Sequence, residues 1–171
     1  PDAQVRGIAV GWMSYTWALR RAIELGCNVF VTHEPTYYAH WDNQAEILAR
    51  PEVQAKQQFI EQHELVILRC HDLWDQVPGM GIPDAWGAWL QLGEPVDGQG
   101  YFRVYDVSGQ SALDVARQVA ERTRPLGQEA VQLIGPPGKA VHRACIGTGA
   151  ITPVLSWLAE YEVDLAICTD D

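Results

Sequence analysis

The sequence predicts an α/β protein whose sheets are mixed but largely parallel and carry flanking helices. Short apolar segments rich in β-branched residues alternate along the chain with longer segments of helical periodicity. Hydrophobic residues make up 47% of the 171 residues, enough to build a sizeable core. Because strands that alternate with helices are typically connected by crossovers, this order favours parallel pairing.

The first half of the chain supplies three strand-like and three helix-like segments. Strands are predicted at 5–10, 28–32 and 65–70, and helices at 14–25, at 44–64 with a break at Pro51, and at 84–92. Ser14 is a predicted cap of the first helix, and Gly26 follows its end. The segments 33–43 and 72–83 are predicted as loops. Together these elements define a first lobe, residues 1–93.

Residues 93–100 contain three glycines and one proline, which is typical of a linker. After them, strands are predicted at 101–107, 130–134, 141–146 and 163–168, and helices at 111–124 and from Thr152 onward. These elements define a second lobe, residues 94–171, which we expect to continue beyond the given C-terminus.

Composition narrows the classes of partner. The formal net charge of −10 predicts no binding to nucleic acid, and no apolar run reaches the roughly 18 residues of a membrane span. None of the four cysteines belongs to a C-x-x-C pair, which suits buried thiols in a reducing compartment. We therefore expect a cytoplasmic protein.

Two histidine–carboxylate pairs follow predicted strands. His33 and Glu34 come directly after one strand, and His71 comes directly after the next. The carboxyl ends of parallel strands are where functional groups gather in such sheets. His71 and Asp75 are four residues apart, so one helical turn places them on one face. Imidazole and carboxylate ligands together favour zinc, manganese or iron.

Adjacent side chains of an extended segment point in opposite directions, so His33 and Glu34 rarely serve one ion. Two ions about 3.5–4 Å apart can use one each, as in two-metal hydrolytic sites. The alternative for each histidine is a hydrogen-bonded structural residue. Gly147-Thr148-Gly149 is interpreted as a tight turn rather than a dinucleotide loop. Trp12, Trp41 and Trp74 could line a pocket, but we expect them to pack in the core.

Several motifs, in order, resemble those of the Nif-three-like family, also known as type 2 GTP cyclohydrolase I. Residues 5–35 resemble the family's opening, where His33-Glu34-Pro35 stands for His-His-Pro. The segment His71 to Asp75 stands for His-Thr-Asn-Leu-Asp. Further resemblances lie at 81–84, at 147–149 and at 163–169.

This resemblance implies a two-lobed α/β fold, a dinuclear metal centre and a ring-shaped hexamer. On that basis we expect a metal-dependent hydrolase-like protein that acts on a small, nucleotide- or phosphate-containing substrate. His33 and Asp75 would be metal ligands, with Asp75 bridging, and Glu34 would bind the second ion. His71 would act as a general base or orient a ligand.

The sequence departs from the family pattern at three places, and the first and the last support a rival hypothesis, a non-catalytic metal- or ligand-binding regulatory module. Glu34 replaces a metal-binding histidine, and residues 72–74 differ from Thr-Asn-Leu. The family's last motif, His-x-x-x-Glu, corresponds to a position beyond Asp171.

Overall fold

The structure is a computed structural model that describes residues 3–40, 43–149 and 158–168. It confirms the predicted class, because two sheets and their helices form a mixed α/β architecture. The strands are β1 Ile8–Gly11, β2 Val29–Thr32, β3 Val66–Arg69, β4 Pro95–Asp97, β5 Phe102–Ser111, β6 Ala140–Gly147 and β7 Leu165–Cys168. The helices are α1 Thr16–Glu24, α2 Ala45–Leu48, α3 Pro51–Gln62, α4 Asp72–Asp75, α5 Ile82–Leu90 and α6 Ala112–Thr123.

Backbone contacts divide the chain into two compact units, Pro1–Leu73 and Trp74–Asp171. The predicted lobe boundary at residue 93 rests on composition and stays a prediction. In the described ranges, no helix is both long and apolar enough to cross a lipid bilayer.

The sheet of the first unit is three-stranded and all parallel, in the order β1-β2-β3. Ala9, Phe30 and Ile67 lie at matching positions on these strands. They share one apolar cluster with residues of α1 and α3, among them Leu19 and Ile60. Because helices separate the strands in sequence, each strand returns in the same direction. All three strands therefore end at the same edge.

The second unit contains a four-stranded mixed sheet in the order β4-β5-β6-β7. The pairs β4/β5 and β5/β6 are antiparallel, and β7 runs parallel to β6. The helix α6 begins with a capping box, in which Ser111 and Asp114 each bond the other's backbone N–H. Its buried face, with Val115 and Val119, packs with Leu90 and Ile146 in one core cluster.

Four local predictions are wrong. Tyr15, not Ser14, lies at the N-terminal cap of α1, and no side chain there caps the helix. Residues 130–134 are not a strand: Ile134 is 83% exposed, and no described strand pairs with this segment. An apolar composition favours a strand, but a strand also needs a neighbouring strand with which to pair. Conversely, the predicted linker contains β4, where Pro95 sits on an edge strand that tolerates a missing N–H. The predicted loop 72–83 begins with α4. The start of the helix predicted from Thr152 lies outside the described residues.

The helix α5 approaches β5 closely at Gly87. A Cβ atom placed at Gly87 would overlap the hydroxyl group of Tyr105, whose side chain is fully buried. Buried backbone and ring therefore leave no room for a side chain at this position.

We expect Gly87→Ala to lower the free energy of unfolding by about 1–3 kcal/mol, the usual cost of overpacking a core. Urea denaturation followed by circular dichroism measures it. Gly138→Ala is the control, since a Cβ there meets no atom within 4 Å. Equal stability of the two variants would contradict the close approach.

A charged pair also connects α5 with β5. The Nε and Nη2 atoms of Arg103 donate to the carboxylate of Asp84 at 2.6 and 3.2 Å, and the Gly79 N–H donates to it at 2.8 Å. These hydrogen bonds, that of Arg103 foremost, hold the pKa of Asp84 below its ordinary value of 3.8. The ionised carboxylate of Asp84 thus stabilises the fold above pH 3.8, and this contribution is lost as the pH falls through the lowered pKa.

Arg103→Met should therefore destabilise the protein most at neutral pH, and its deficit relative to the parent should shrink below pH 3.8. The measurement is a series of urea melts of parent and variant between pH 7 and pH 3. A deficit that stays constant across this range would show that the ion pair does not set the pKa of Asp84.

Candidate metal site

The site lies at the edge where the strands of the first unit end. His33 and Glu34 directly follow β2, and their backbone N–H groups donate to the Trp12 carbonyl at 3.2 and 3.0 Å. The buried hydroxyl of Thr32, the last residue of β2, donates to the same carbonyl at 3.1 Å. The segments after β1 and β2 are thereby joined at one atom, Trp12 O.

The second part of the site follows β3. His71 precedes α4, a single helical turn that ends at Asp75. This turn brings His71 and Asp75, which are four residues apart, close together, as their spacing predicts. Asp75 is only 4% exposed. One ligand atom from each of His33, His71 and Asp75 can be chosen so that all three lie within 4.8 Å of one another.

Each of the two histidines contacts the carboxylate of the residue that follows it. The distance from His33 Nδ1 to Glu34 Oε1 is 3.3 Å, and that from His71 Nδ1 to Asp72 Oδ1 is 2.9 Å. Because an ionised carboxylate only accepts hydrogen bonds, these contacts favour the proton on Nδ1 of both rings. Such pairs fix the orientation and tautomer of a histidine that binds a metal ion.

Aromatic rings stack along the same edge. Trp12 lies on His33 with centroids 4.0 Å apart, and His33 lies on His71 at 4.2 Å. The ring of His40 meets that of His71 edge-on at 5.6 Å. Trp12 is 60% exposed and Trp74 is 44% exposed, so the expectation that these tryptophans pack in the core is wrong. Trp41 lies outside the described residues.

The donor set fits a divalent transition metal. Two imidazole nitrogens and one carboxylate oxygen are borderline ligands, suited to zinc, manganese or iron rather than calcium. Bond lengths of about 2.0–2.2 Å place ligand atoms at most about 4.4 Å apart, so side-chain shifts below about 1 Å would close the group on an ion. The remaining coordination positions would be open to water or substrate, as in catalytic sites.

The structure brings together His33, His71 and Asp75, and it places Glu34 against His33 rather than in the group. The individual roles predicted for these four residues stay predictions. Sequence reasoning missed Asp72 and His40. Asp72 carried a usable signal, since His71-Asp72 repeats the order of His33-Glu34. His40 had none, because its position depends on the path of a loop.

Fold and site define an α/β protein with a candidate metal-binding group at the end of a parallel sheet. The sequence matches the family Duf34/NIF3 (NGG1p interacting factor 3) over residues 1–170, and the chain belongs to that family. This confirms the resemblance noted from the sequence motifs. No curated protein matches the sequence significantly.

Solved structures share the fold. Protein ybgI, described as of unknown function, superposes with a TM-score of 0.75 at 20% identity, over 99% of this chain and 66% of its own. The Staphylococcus aureus hypothetical protein SA1388 gives 0.71 at 14% identity, over 99% and 69%. A Bacillus cereus protein related to NIF3 gives 0.68 at 11%, over 99% and 74%. The chain thus spans about two thirds of the length of ybgI.

Proposed function

We propose that this chain is a metal-dependent hydrolase-like protein whose ion is held at His33, His71 and Asp75. The observation that carries the proposal is the convergence of three ligand atoms from two strand ends within 4.8 Å. Membership of the Duf34/NIF3 family is consistent with it. The proposed ions are zinc, manganese or iron, two for each subunit.

The carboxylate contacts suggest how the histidines would bind. With Nδ1 held by Glu34 or Asp72, Nε2 is the nitrogen that each ring would present to the ion. Asp75 would contribute a carboxylate oxygen from a buried position, where a negative charge offsets that of the cation. When bound, a divalent ion supplies Lewis acidity toward a carbonyl or phosphoryl oxygen.

His71 has a second proposed role, that of the catalytic base, which it can fill only if its Nε2 is not bound to the ion. Asp72 lies 2.9 Å from Nδ1, which favours the tautomer whose Nε2 can accept a proton from an attacking water. Its ligand atom also lies with those of His33 and Asp75. His71→Ala distinguishes the two roles, because a pure base alters turnover and leaves the metal content intact.

The substrate is proposed to be small and to contain a phosphate or nucleotide group, which the cation would attract despite the net charge of −10. We further propose a cytoplasmic homo-oligomer, a hexamer by family resemblance, that binds neither nucleic acid nor membrane. The second candidate function is a non-catalytic metal- or ligand-binding module. It is favoured by Glu34, which stands in place of a ligating histidine and contacts His33.

The purified protein should bind a divalent transition metal, measured by calorimetric titration with zinc and manganese at neutral pH. His33→Ala and Asp75→Asn should each weaken binding by more than the roughly 10- to 100-fold expected for a group that only orients a ligand. His63→Ala is the matched control: this exposed histidine packs on Phe59 and lies outside the group. Undiminished affinity in both site variants would overturn the proposed site.

Glu34 decides whether a second ion is bound. If its carboxylate is a ligand, Glu34→Gln should reduce the stoichiometry from two ions to one. Glu34→His should keep two ions for each subunit, as in the parent, and shift the metal preference from manganese toward zinc, since imidazole is the softer ligand. Competitive titration at pH 7 and pH 6 tests both variants, and binding should weaken at the lower pH because ligating imidazoles must be neutral. One ion for each of the three proteins would refute a role for Glu34 as ligand.

A further inference from the structure

Lys56 occupies a core position on α3. The residues Val53, Lys56 and Ile60 form the buried stripe of this helix, with spacings of three and four residues. Lys56 is only 4% exposed, although lysine is almost never fully buried unless it is paired. The helical pattern calls for an apolar residue here, so the ammonium group requires an explanation from its contacts.

The Lys56 ammonium group reaches the two segments that follow β1 and β2. Its Nζ donates to the Thr36 carbonyl at 2.6 Å and lies 3.4 Å from the hydroxyl of Ser14, which is itself buried. It also lies 4.9 Å from the centre of the Tyr38 ring, which is within the range of a cation–π contact. Ser14 follows β1, whereas Thr36 and Tyr38 follow β2.

With these contacts, the His33–Glu34 segment is hydrogen-bonded on both of its sides. On one side of the segment, the N–H groups of His33 and Glu34 donate to Trp12 O. On the other side, Thr36 accepts from Lys56 two residues after Glu34. Ser14 brings the segment after β1 to the same ammonium group. The candidate ligand thus lies between two hydrogen-bonded anchors, one made by backbone and the other by Lys56.

Stability alone does not account for a charge at this position. Burying an ammonium ion costs several kcal/mol that its contacts must offset, so a buried lysine is weak evidence of a stabilising role. A hydrogen bond from a charged donor is, however, shorter and more directional than a neutral one. The charge is therefore suited to fixing the path of the Thr36 backbone.

We propose that Lys56 is a positioning residue of the metal site: it holds the segments after β1 and β2 together so that His33 meets His71 and Asp75. This inference rests on the proposed function. It predicts that the loss of Lys56 weakens metal binding and accelerates hydrogen exchange of residues 33–38 more than that of the rest of the first unit. Groups that orient metal ligands usually contribute 10- to 100-fold to affinity.

The test compares Lys56→Met with the parent by zinc titration, urea denaturation and hydrogen exchange of residues 33–38. We expect zinc affinity to fall about 10- to 100-fold and hydrogen exchange of residues 33–38 to accelerate. The free energy of unfolding should fall by about 1–3 kcal/mol, because the buried Thr36 carbonyl loses its donor. Lys56→Arg, which keeps the charge and the donors, should restore affinity to within a few-fold. Gln54→Met, at an exposed position of α3, is the control for the substitution itself.

The outcomes separate this inference from the proposed function. If the parent binds zinc and Lys56→Met binds it equally, the inference is overturned and the metal site stands. If the parent binds neither zinc nor manganese, the proposed function fails. Hydrogen exchange then decides whether Lys56 holds the segment, and unchanged protection overturns that too. Lys56→Gln, which keeps a donor without the charge, is judged by the same criteria if Lys56→Met does not fold.

Discussion

Three parallel strands of the first unit end in register, with Gly11 beside Thr32 and Thr32 beside Arg69. Every feature of the candidate site depends on this shared edge. Trp12 and His33 follow the first two strands directly, and their rings stack because their strands are neighbours. His71 follows the third strand by two residues and extends the stack. The geometry of a parallel sheet therefore sets the approximate position of the ligands before any side chain is chosen.

Charged side chains then orient the candidate ligands. Glu34 and Asp72 each hold the Nδ1 atom of the preceding histidine, and Asp75 contributes a buried carboxylate. Lys56 places a buried positive charge against the segments that follow β1 and β2, the second of which carries His33. Buried charges stabilise a fold weakly and are costly when unpaired. Their arrangement around one edge is consistent with the fixed ligand geometry that the proposed metal site requires.

Much of this could be predicted from sequence, because it follows from local pattern and strand order. The three strands of the first unit follow from periodicity, and the convergence of the two histidines follows from strand order. The spacing of His71 and Asp75 fits a helical turn, whereas composition favours a loop at 72–83, and the structure has the turn. The pairing of strands could not be predicted. Residues 130–134 have the composition of a strand but no described partner, whereas Pro95–Asp97 pairs with β5 as an edge strand. Contacts made by loops were also out of reach, as for His40 and Lys56, whose partners depend on the three-dimensional path of the chain.

The central claim is that His33, His71 and Asp75 share one ion, and X-ray absorption spectroscopy of the zinc-loaded protein addresses the ligands directly. The account predicts only nitrogen and oxygen neighbours at about 2.0–2.1 Å, with the multiple scattering of about two imidazole rings. His71→Ala should remove one of the two. A sulfur neighbour at about 2.3 Å would instead assign the ion to a cysteine such as Cys70 and would contradict the claim. A shell of oxygen atoms without imidazole scattering would contradict it equally.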